Sequence, residues 1–312
     1  MNSLRKIQSV IIRLGNRYYK KLGIIGVPFE KGQHKKGVAQ GPEAIRKAGL
    51  MKELELLGDV AGCTSKLSEQ FQQILKKDRR ILTLGGDHSL GIGTIDGHVK
   101  EKGDIALIWV DAHADLNTNK TSTTGLFHGM PVALLTSELA DYWPHLPGMD
   151  WQKPMLSIRN VAYIGLREVD SYERLVIEKF GITAFGMEDI ERYGIHDVTY
   201  MALSKIDPND SRSIHVSFDI DSLDPLEAPC TGTPVRGGLS LREAIHLMEV
   251  LYRTKRLNAL DIVEINPYIG NKYDVRLTIG AAIHIIQAGF GYSRRGLRVP
   301  EGVTDIPLPT VK

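Results

Sequence analysis

The sequence predicts one α/β domain, a parallel β-sheet with helices on both faces in three layers. Three observations carry that prediction. From residue 22 onward, short apolar runs alternate with segments of helical spacing, the pattern of repeated strand–helix units. Several runs are almost continuously apolar, as strands buried on both faces must be. No internal repeat, low-complexity tract or Pro/Ser-rich linker divides the chain after residue 21. The 312 residues would allow two domains, at about 150 residues each, but nothing in 22–312 marks a boundary, so a single domain is expected.

Residues 1–21 stand apart. Leu4, Ile7, Val10, Ile11 and Leu14 fall on one side of a helical projection, and Lys6, Arg13 and Arg17 on the other. A basic amphipathic helix is expected there. Six basic residues and no acidic one fit a mitochondrial transit peptide, and a solvated N-terminal helix of a cytoplasmic protein fits as well. The expected location is the mitochondrial matrix, with the cytoplasm as the alternative.

Strands are expected at 22–27, 81–84, 105–110, 161–165, 182–185, 214–218 and 260–264. Pro42 opens a helix over 42–56. Residues 59–66 have the weakest pattern and are expected to form a truncated strand or a loop. A capping box, Ser240-Leu-Arg-Glu243, opens a helix over 240–253. From about residue 293 a tail bearing Arg294, Arg295 and Arg298 is expected either to pack on a subunit or to stay mobile.

Charge and composition exclude several classes of function. The formal charge is +2, and because six basic residues lie in 1–21, residues 22–312 hold 33 basic against 37 acidic ones. That balance gives no basic surface for nucleic acid. No apolar run approaches the roughly 18 residues that span a bilayer, so no membrane partner is expected. Cys63 and Cys230 are too few for a disulfide framework and form no thiolate metal pair.

Polar groups recur just past the strand ends, where open parallel sheets bind ligands. Gly85-Gly86-Asp87-His88 follows 81–84, Asp111-Ala-His113-Ala-Asp115 follows 105–110, Asp219-Ile-Asp221 follows 214–218, and Glu264 ends 260–264. Singly, an Asp-His pair is a common turn or cap and Asp-x-Asp a common loop. The Asp-x-His-x-Asp spacing is different, because extended backbone would aim two carboxylates and an imidazole from one face. If the strand ends converge, four carboxylates and two imidazoles share one small volume, and two divalent cations would neutralise them. Oxygen-rich ligation with some imidazole and no thiolate favours Mn²⁺ over Mg²⁺, Fe²⁺ or Zn²⁺. Two such ions can deprotonate a shared water, which is hydrolytic chemistry.

At these residues the sequence resembles the ureohydrolase family and, within it, the arginases, most of all the mitochondrial type II members. The resemblance rests on Gly85-Gly86-Asp87-His88-Ser89-Leu90, Asp111-Ala-His113-Ala-Asp115-Leu-Asn117-Thr118, His128-Gly129-Met130-Pro131-Val132, Ser217-Phe-Asp219-Ile-Asp221-Ser-Leu-Asp224-Pro225, Thr231-Gly-Thr233-Pro234 and Glu264-Ile-Asn266-Pro267. It runs from about Leu22 to Tyr292. It implies an arginase-like three-layer fold and commonly a homotrimer. It also implies two Mn²⁺ per subunit, one held by His88, Asp111, Asp115 and Asp219 and the other by His113, Asp111, Asp219 and Asp221.

The implied reaction is hydrolysis of L-arginine to L-ornithine and urea by a metal-bridging hydroxide. Asp115 would relay a proton to the leaving amine, Glu264 would bind the guanidinium, and His128 would shuttle protons. Asn117, Ser122, Thr124 and Asp170 would read the amino-acid end of the substrate. Thr233 would support the guanidinium site, and Glu173 would stand beside Asp170. Thr124 replaces a usual serine, Leu126 a usual asparagine and Met130 a usual glutamine. Cys230 takes a usually small position, Glu168 lengthens an aspartate, and the chain between Gly49 and Gly85 is shorter than in type II members. None of these changes touches a metal ligand. Leu126 keeps a related ureohydrolase, acting on agmatine or a guanidino acid, as the main alternative. A non-catalytic homologue is the other, against which all six ligands, Glu264 and His128 are present.

Overall fold

The computed structural model describes residues 10–12, 22–24, 50–143, 146, 148–292 and 294. Six parallel strands form one sheet: β3 (Ile81–Leu84), β4 (Ile105–Val110), β5 (Val161–Leu166), β6 (Thr183–Gly186), β7 (Ser213–Asp219) and β8 (Leu257–Val263), in the order β3-β8-β7-β4-β5-β6. Six of the seven expected strands are in it, with ends shifted by up to three residues. The seventh is not. Leu22–Ile24 (β2) pairs antiparallel with Val10–Ile12 (β1) in a separate two-stranded sheet. The stretch Val10–Ile12, expected to be helical, is therefore extended; three consecutive β-branched residues favour that backbone over a helix. The rest of the expected N-terminal helix lies outside the described residues, as do 25–27.

The helices are α1 (Leu50–Leu75), α2 (Gly91–Lys102), α3 (Pro131–Leu135), α4 (Ser171–Phe180), α5 (Met187–Ile206), α6 (Leu241–Arg253) and α7 (Lys272–Gly289). Strand β4 is buried at every position and shows how the layers form. Its Ala106, Ile108 and Val110 face a core with Val198 and Ala202 of α5, Leu247 and Leu251 of α6, and Ile285 of α7. Its Ile105, Leu107 and Trp109 face the other way, against Ile95 of α2, Val132 of α3 and Val176 of α4. The alternation of a strand thus divides one apolar run between two cores, giving the expected three layers.

Residues 59–66, expected to be a strand remnant or loop, lie inside α1. The reason is in the packing. Ala61, Thr64, Ser68, Phe71 and Leu75 are buried at helical spacing, but the second and third are small and polar, so the apolar period is broken. They face glycines of α2. A Cβ at Gly93 would lie 2.4 Å from the Thr64 carbonyl oxygen, and one at Gly97 2.6 Å from that of Ser68. The helices touch through small residues where a longer apolar side chain would hold them apart. Of the helix expected over 42–56, residues from Leu50 on are helical and 42–49 lie outside the described residues.

The Ser240–Glu243 capping box is formed, with the Glu243 carboxylate accepting from the Ser240 N–H at 2.8 Å. Arg294 packs back on α6, its guanidinium donating to both oxygens of Glu249 at 3.1 and 2.9 Å; Arg295 and Arg298 lie outside the described residues. Among the described residues, no helix is long and apolar enough to cross a membrane.

Candidate metal centre

Neighbouring strands β4 and β7 form the point where the sheet changes direction: β5 follows β4 on one side, and β8 follows β7 on the other. Crevices open at such points, beyond the carboxyl ends of the strands. Here Asp111, His113 and Asp115 leave β4, and Asp219 and Asp221 leave β7. From β3 comes His88, in a short turn whose N-cap Asp87 accepts from the Ser89 N–H at 3.0 Å. Glu264 leaves β8, and its N–H bonds the Gly86 carbonyl at 2.8 Å, tying the ends of β3 and β8 together.

The acids converge by turns and not by strand alternation, because β4 ends at Val110. Asp111 accepts from the His113 N–H at 2.8 Å, and Asp219 accepts from the Asp221 N–H at 2.8 Å. Each Asp-x-His or Asp-x-Asp pair is thus an Asx turn, which folds the second ligand back over the first. Asp115 completes the β4 set with a left-handed backbone, φ 49°.

The resulting geometry is compact. His88 Nδ1 lies 3.0 Å from Asp111 Oδ2, 3.1 Å from Asp115 Oδ2 and 3.1 Å from Asp219 Oδ2. His113 Nδ1 lies 3.3 Å from Asp111 Oδ1 and 3.2 Å from Asp221 Oδ2. Two ligand groups result, His88–Asp111–Asp219 and Asp111–His113–Asp221, and Asp111 offers one oxygen to each. Asp219 falls in the first group only. Neighbours hold the ligands in place. Trp109 Nε1 donates to Asp111 at 3.0 Å and stacks on the His88 ring, Ser217 Oγ lies 2.8 Å from His88 Nε2, and Thr233 donates to Asp221 at 3.0 Å.

The donor set fits cations. His88 Nδ1 is buried, faces three carboxylate oxygens and makes a good hydrogen bond to none of them, as ligands around a shared centre do. Charge tells the same story. Burial and the Asp111 charge push the Asp115 carboxyl up to about 7, and burial with the neighbouring carboxylates raises Asp219 and Asp221. Burial opposes charge on the imidazoles too, yet Asp111 and Asp221 push His113 up to about 11, and Asp111, Asp115 and Asp219 raise His88. Asp111, although buried, is held low by the two imidazoles. So much negative charge in one buried volume calls for positive charge within it.

A cleft of about 300 Å³ opens over these ligands. His113, Asp115, Asp219 and Asp221 form its floor, and its walls include Asn117, Ser122, Thr124, His128, Asp170, Glu173 and Thr233. Asn117 Nδ2 donates to Asp170 at 2.8 Å, and Gly125 N–H and Leu126 N–H donate to the hydroxyls of Ser122 and Thr124. Glu173 accepts from the N–H groups of Leu116 and Asp170 at 2.8 and 2.9 Å, so both its oxygens are engaged by backbone. Glu264, partly exposed, is not among the lining residues but stands next to His128, which is; its Oε1 accepts from the His88 N–H at 2.8 Å and lies 3.2 Å from His128 Nδ1. That carboxylate raises the His128 pKa.

Arg167 was not foreseen from the sequence. Its guanidinium donates to the carbonyls of Gly165, Asp221, Ser222, Leu223 and Val235 and so grips the loop that carries Asp221 and Thr233. An arginine that binds carbonyls has no partner acid for a sequence pattern to reveal. Ser217 and Trp109 escaped for a related reason, being ordinary strand residues until the strand ends meet.

A profile of the arginase family matches residues 20–290. Arginase-1 of Sus scrofa is 41% identical over 309 residues, covering 90% of this chain and 96% of that protein. The mitochondrial arginase-2 of Homo sapiens is 39% identical, covering 94% and 91%. Among solved structures, arginase from Bacillus subtilis superposes with a TM-score of 0.69 at 33% identity, over 86% of this chain and 98% of that one.

Proposed function

Because the chain belongs to the arginase family of hydrolases, we propose that it hydrolyses L-arginine to L-ornithine and urea with two Mn²⁺ per subunit. The observation that carries this is the buried His88 Nδ1 facing three carboxylates at 3.0–3.1 Å, beneath a cleft of substrate size. His88, Asp111, Asp115 and Asp219 would hold one ion, and His113, Asp111, Asp219 and Asp221 the other. Bound there, the ions would supply a deprotonated water at neutral pH and offset the carboxylate charge.

The remaining chemistry belongs to the chain. Glu264 orients the planar guanidinium by charge-assisted hydrogen bonds, which sets its carbon toward the floor of the cleft. Asp115, on that floor, passes a proton to the leaving amine. His128, half-exposed between Glu264 and solvent, carries protons between site and bulk water. The Thr233 hydroxyl holds Asp221 in place. At the rim, Asn117, Ser122 and Thr124 offer polar groups to the α-carboxylate, and Asp170 an acid to the α-amine. Glu173 acts through Asp170, whose N–H it holds.

Leu126, 45% exposed beside these rim residues, supports a second reading in which the substrate lacks a carboxylate, as agmatine does. The basic N-terminus, together with the match to mitochondrial arginase-2, supports a mitochondrial location; the cytoplasm remains the alternative. A homotrimer is proposed on family resemblance. The test is urea release by the Mn²⁺-loaded protein from L-arginine and agmatine side by side, with a metal-stripped control. Metal-dependent urea from arginine alone is expected. Urea from agmatine alone would overturn the substrate, and none from either would overturn the activity.

A further inference from the structure

The geometry points to a second metal site, remote in sequence from the first, in which His196 of α5 and His246 of α6 bind one borderline divalent cation of the Zn²⁺, Ni²⁺ or Cu²⁺ type. His196 Nδ1 and His246 Nε2 face each other at 3.0 Å, with ring centroids 5.2 Å apart. Two nitrogen ligands of one tetrahedral ion with metal–nitrogen bonds of about 2.0–2.1 Å lie about 3.3 Å apart. A small rotation of either ring would admit the ion.

The surroundings favour ligation. Glu249, one turn beyond His246, holds a carboxylate oxygen 3.6 Å from His246 Nδ1. Arg294 grips that carboxylate by two hydrogen bonds, so it cannot swing away. A fixed negative charge on the Nδ1 side favours the tautomer with its proton there, which leaves the Nε2 lone pair aimed at His196. A carboxylate on that side is what orients metal-binding imidazoles in carboxylate–histidine pairs; here the 3.6 Å gap is just beyond a hydrogen bond, and a small turn of the His246 ring would close it. His196 is exposed and the His246 side chain half-buried, so water can reach the pair and complete the coordination.

The donors also set the selectivity. Two imidazoles without a ligating carboxylate favour Ni²⁺, Cu²⁺ and Zn²⁺ over Mn²⁺, the reverse of the oxygen-rich centre at the strand ends. The consequence is mechanical. Helix α5 is broken at Gly194 (φ 74°), and His196 lies in the first turn of its second part. An ion shared with His246 would staple that part to α6 in the folded state only, and so would stabilise it.

The experiment is Ni²⁺ titration of the Mn²⁺-loaded full chain by calorimetry, with thermal unfolding at each Ni²⁺ concentration. Wild type is expected to bind one Ni²⁺ more than His196→Ala and to gain Tm as it does. His196→Ala and His246→Ala should each weaken that step at least tenfold, while keeping Mn²⁺-dependent urea release. Exchange at the strand-end centre would be common to all three proteins and cancels. Because His196 is exposed, its alanine variant tests the site even if the His246 variant folds poorly. Equal Ni²⁺ stoichiometry and affinity in wild type and His196→Ala would overturn the proposal.

Discussion

Arg167→Met removes the guanidinium that binds the loop around Asp221 and keeps an unbranched apolar stem that ends about where the arginine Nε stands. In the native protein that group makes six hydrogen bonds to five carbonyl oxygens, the shortest 2.6 Å to Asp221 and 2.8 Å to Val235. Bonds from a charged donor contribute roughly 1.5–3 kcal/mol each, but the sum is far above the real effect. Arg167 is half-buried, its own burial costs desolvation, and water can reach part of the loop once it is gone. A loss of about 2–4 kcal/mol is expected, a large share of the roughly 5–15 kcal/mol that holds a domain folded. The chemical effect should be local. Asp221 and Thr233 lie on the segments that Arg167 joins, so the metal position of His113 and Asp221 should weaken more than that of His88. Urea-denaturation midpoints and stepwise Mn²⁺ binding measure the two effects. Arg167→Lys, which keeps the charge but not the planar fork, should recover only part of each. If Arg167→Met unfolds at the wild-type midpoint and binds both Mn²⁺ ions with wild-type affinity, the clamp does not exist.

Asp111 offers one oxygen to each ligand group, so Asp111→Asn should lower both Mn²⁺ occupancies together and cut urea release by at least about 100-fold; metal analysis finding two ions retained would contradict it. His98 is held well below its ordinary pKa by burial and by the charges of His215 and Lys102, so it stays neutral when folded. The unfolded chain takes up that proton first as pH falls through about 6.5, so His98 should destabilise the fold below that pH, by about 1.4 kcal/mol one unit lower. The difference in unfolding free energy between pH 7.5 and pH 5.5 should therefore shrink in His98→Gln, and an unchanged slope would rule out this source. Leu126→Asn, at an exposed rim position, should lower KM for L-arginine about 2- to 10-fold, the worth of one hydrogen bond, and leave agmatine unaffected; equal shifts for both substrates would remove the carboxylate from that part of the cleft.

The legible parts of this protein are those where one residue type has one physical use. Strands β3 and β4 are found at their expected bounds because their apolar runs are short and end at polar turns. The ligands were legible because His and Asp at close spacing just past a strand end have little purpose there without a ligand. How they converge was not legible, since it depends on Asx turns at Asp111 and Asp219 and on the backbone at Asp115, where extended alternation had been expected. Helix α1 was obscured between 59 and 66 because its contact with α2 is made by Thr64 and Ser68 against glycines, and close approach selects small size over apolarity. His196 and His246 lie 50 residues apart on two helices, and only the packing of α5 on α6 joins them.

Strain and chemistry coincide at two points of the centre. Asp115 (φ 49°) and Glu264 (φ 62°) both hold left-handed backbone, while the other non-glycine residues that do so among the described residues, Asp78, Asp210 and Lys255, lie in connections away from the ligands. Such a backbone costs a residue with a side chain on the order of 1 kcal/mol or more, and glycine would avoid the cost. Glycine would also delete the acid. The geometry explains why the chain tolerates the strain. An extended continuation of β8 would carry Glu264 away along the strand axis, whereas the left-handed turn brings its carboxylate back to the His88 N–H and the His128 ring. The same turn at Asp115 returns its carboxylate to His88. Each turn is tied down from outside the ligand set, the Glu264 N–H to the Gly86 carbonyl at 2.8 Å and the Asp115 carbonyl to the Val132 N–H of α3 at 3.1 Å. The rigid layers beneath therefore hold two acids in a conformation that neither would adopt alone, and that is what allows four strand ends to meet around one small volume.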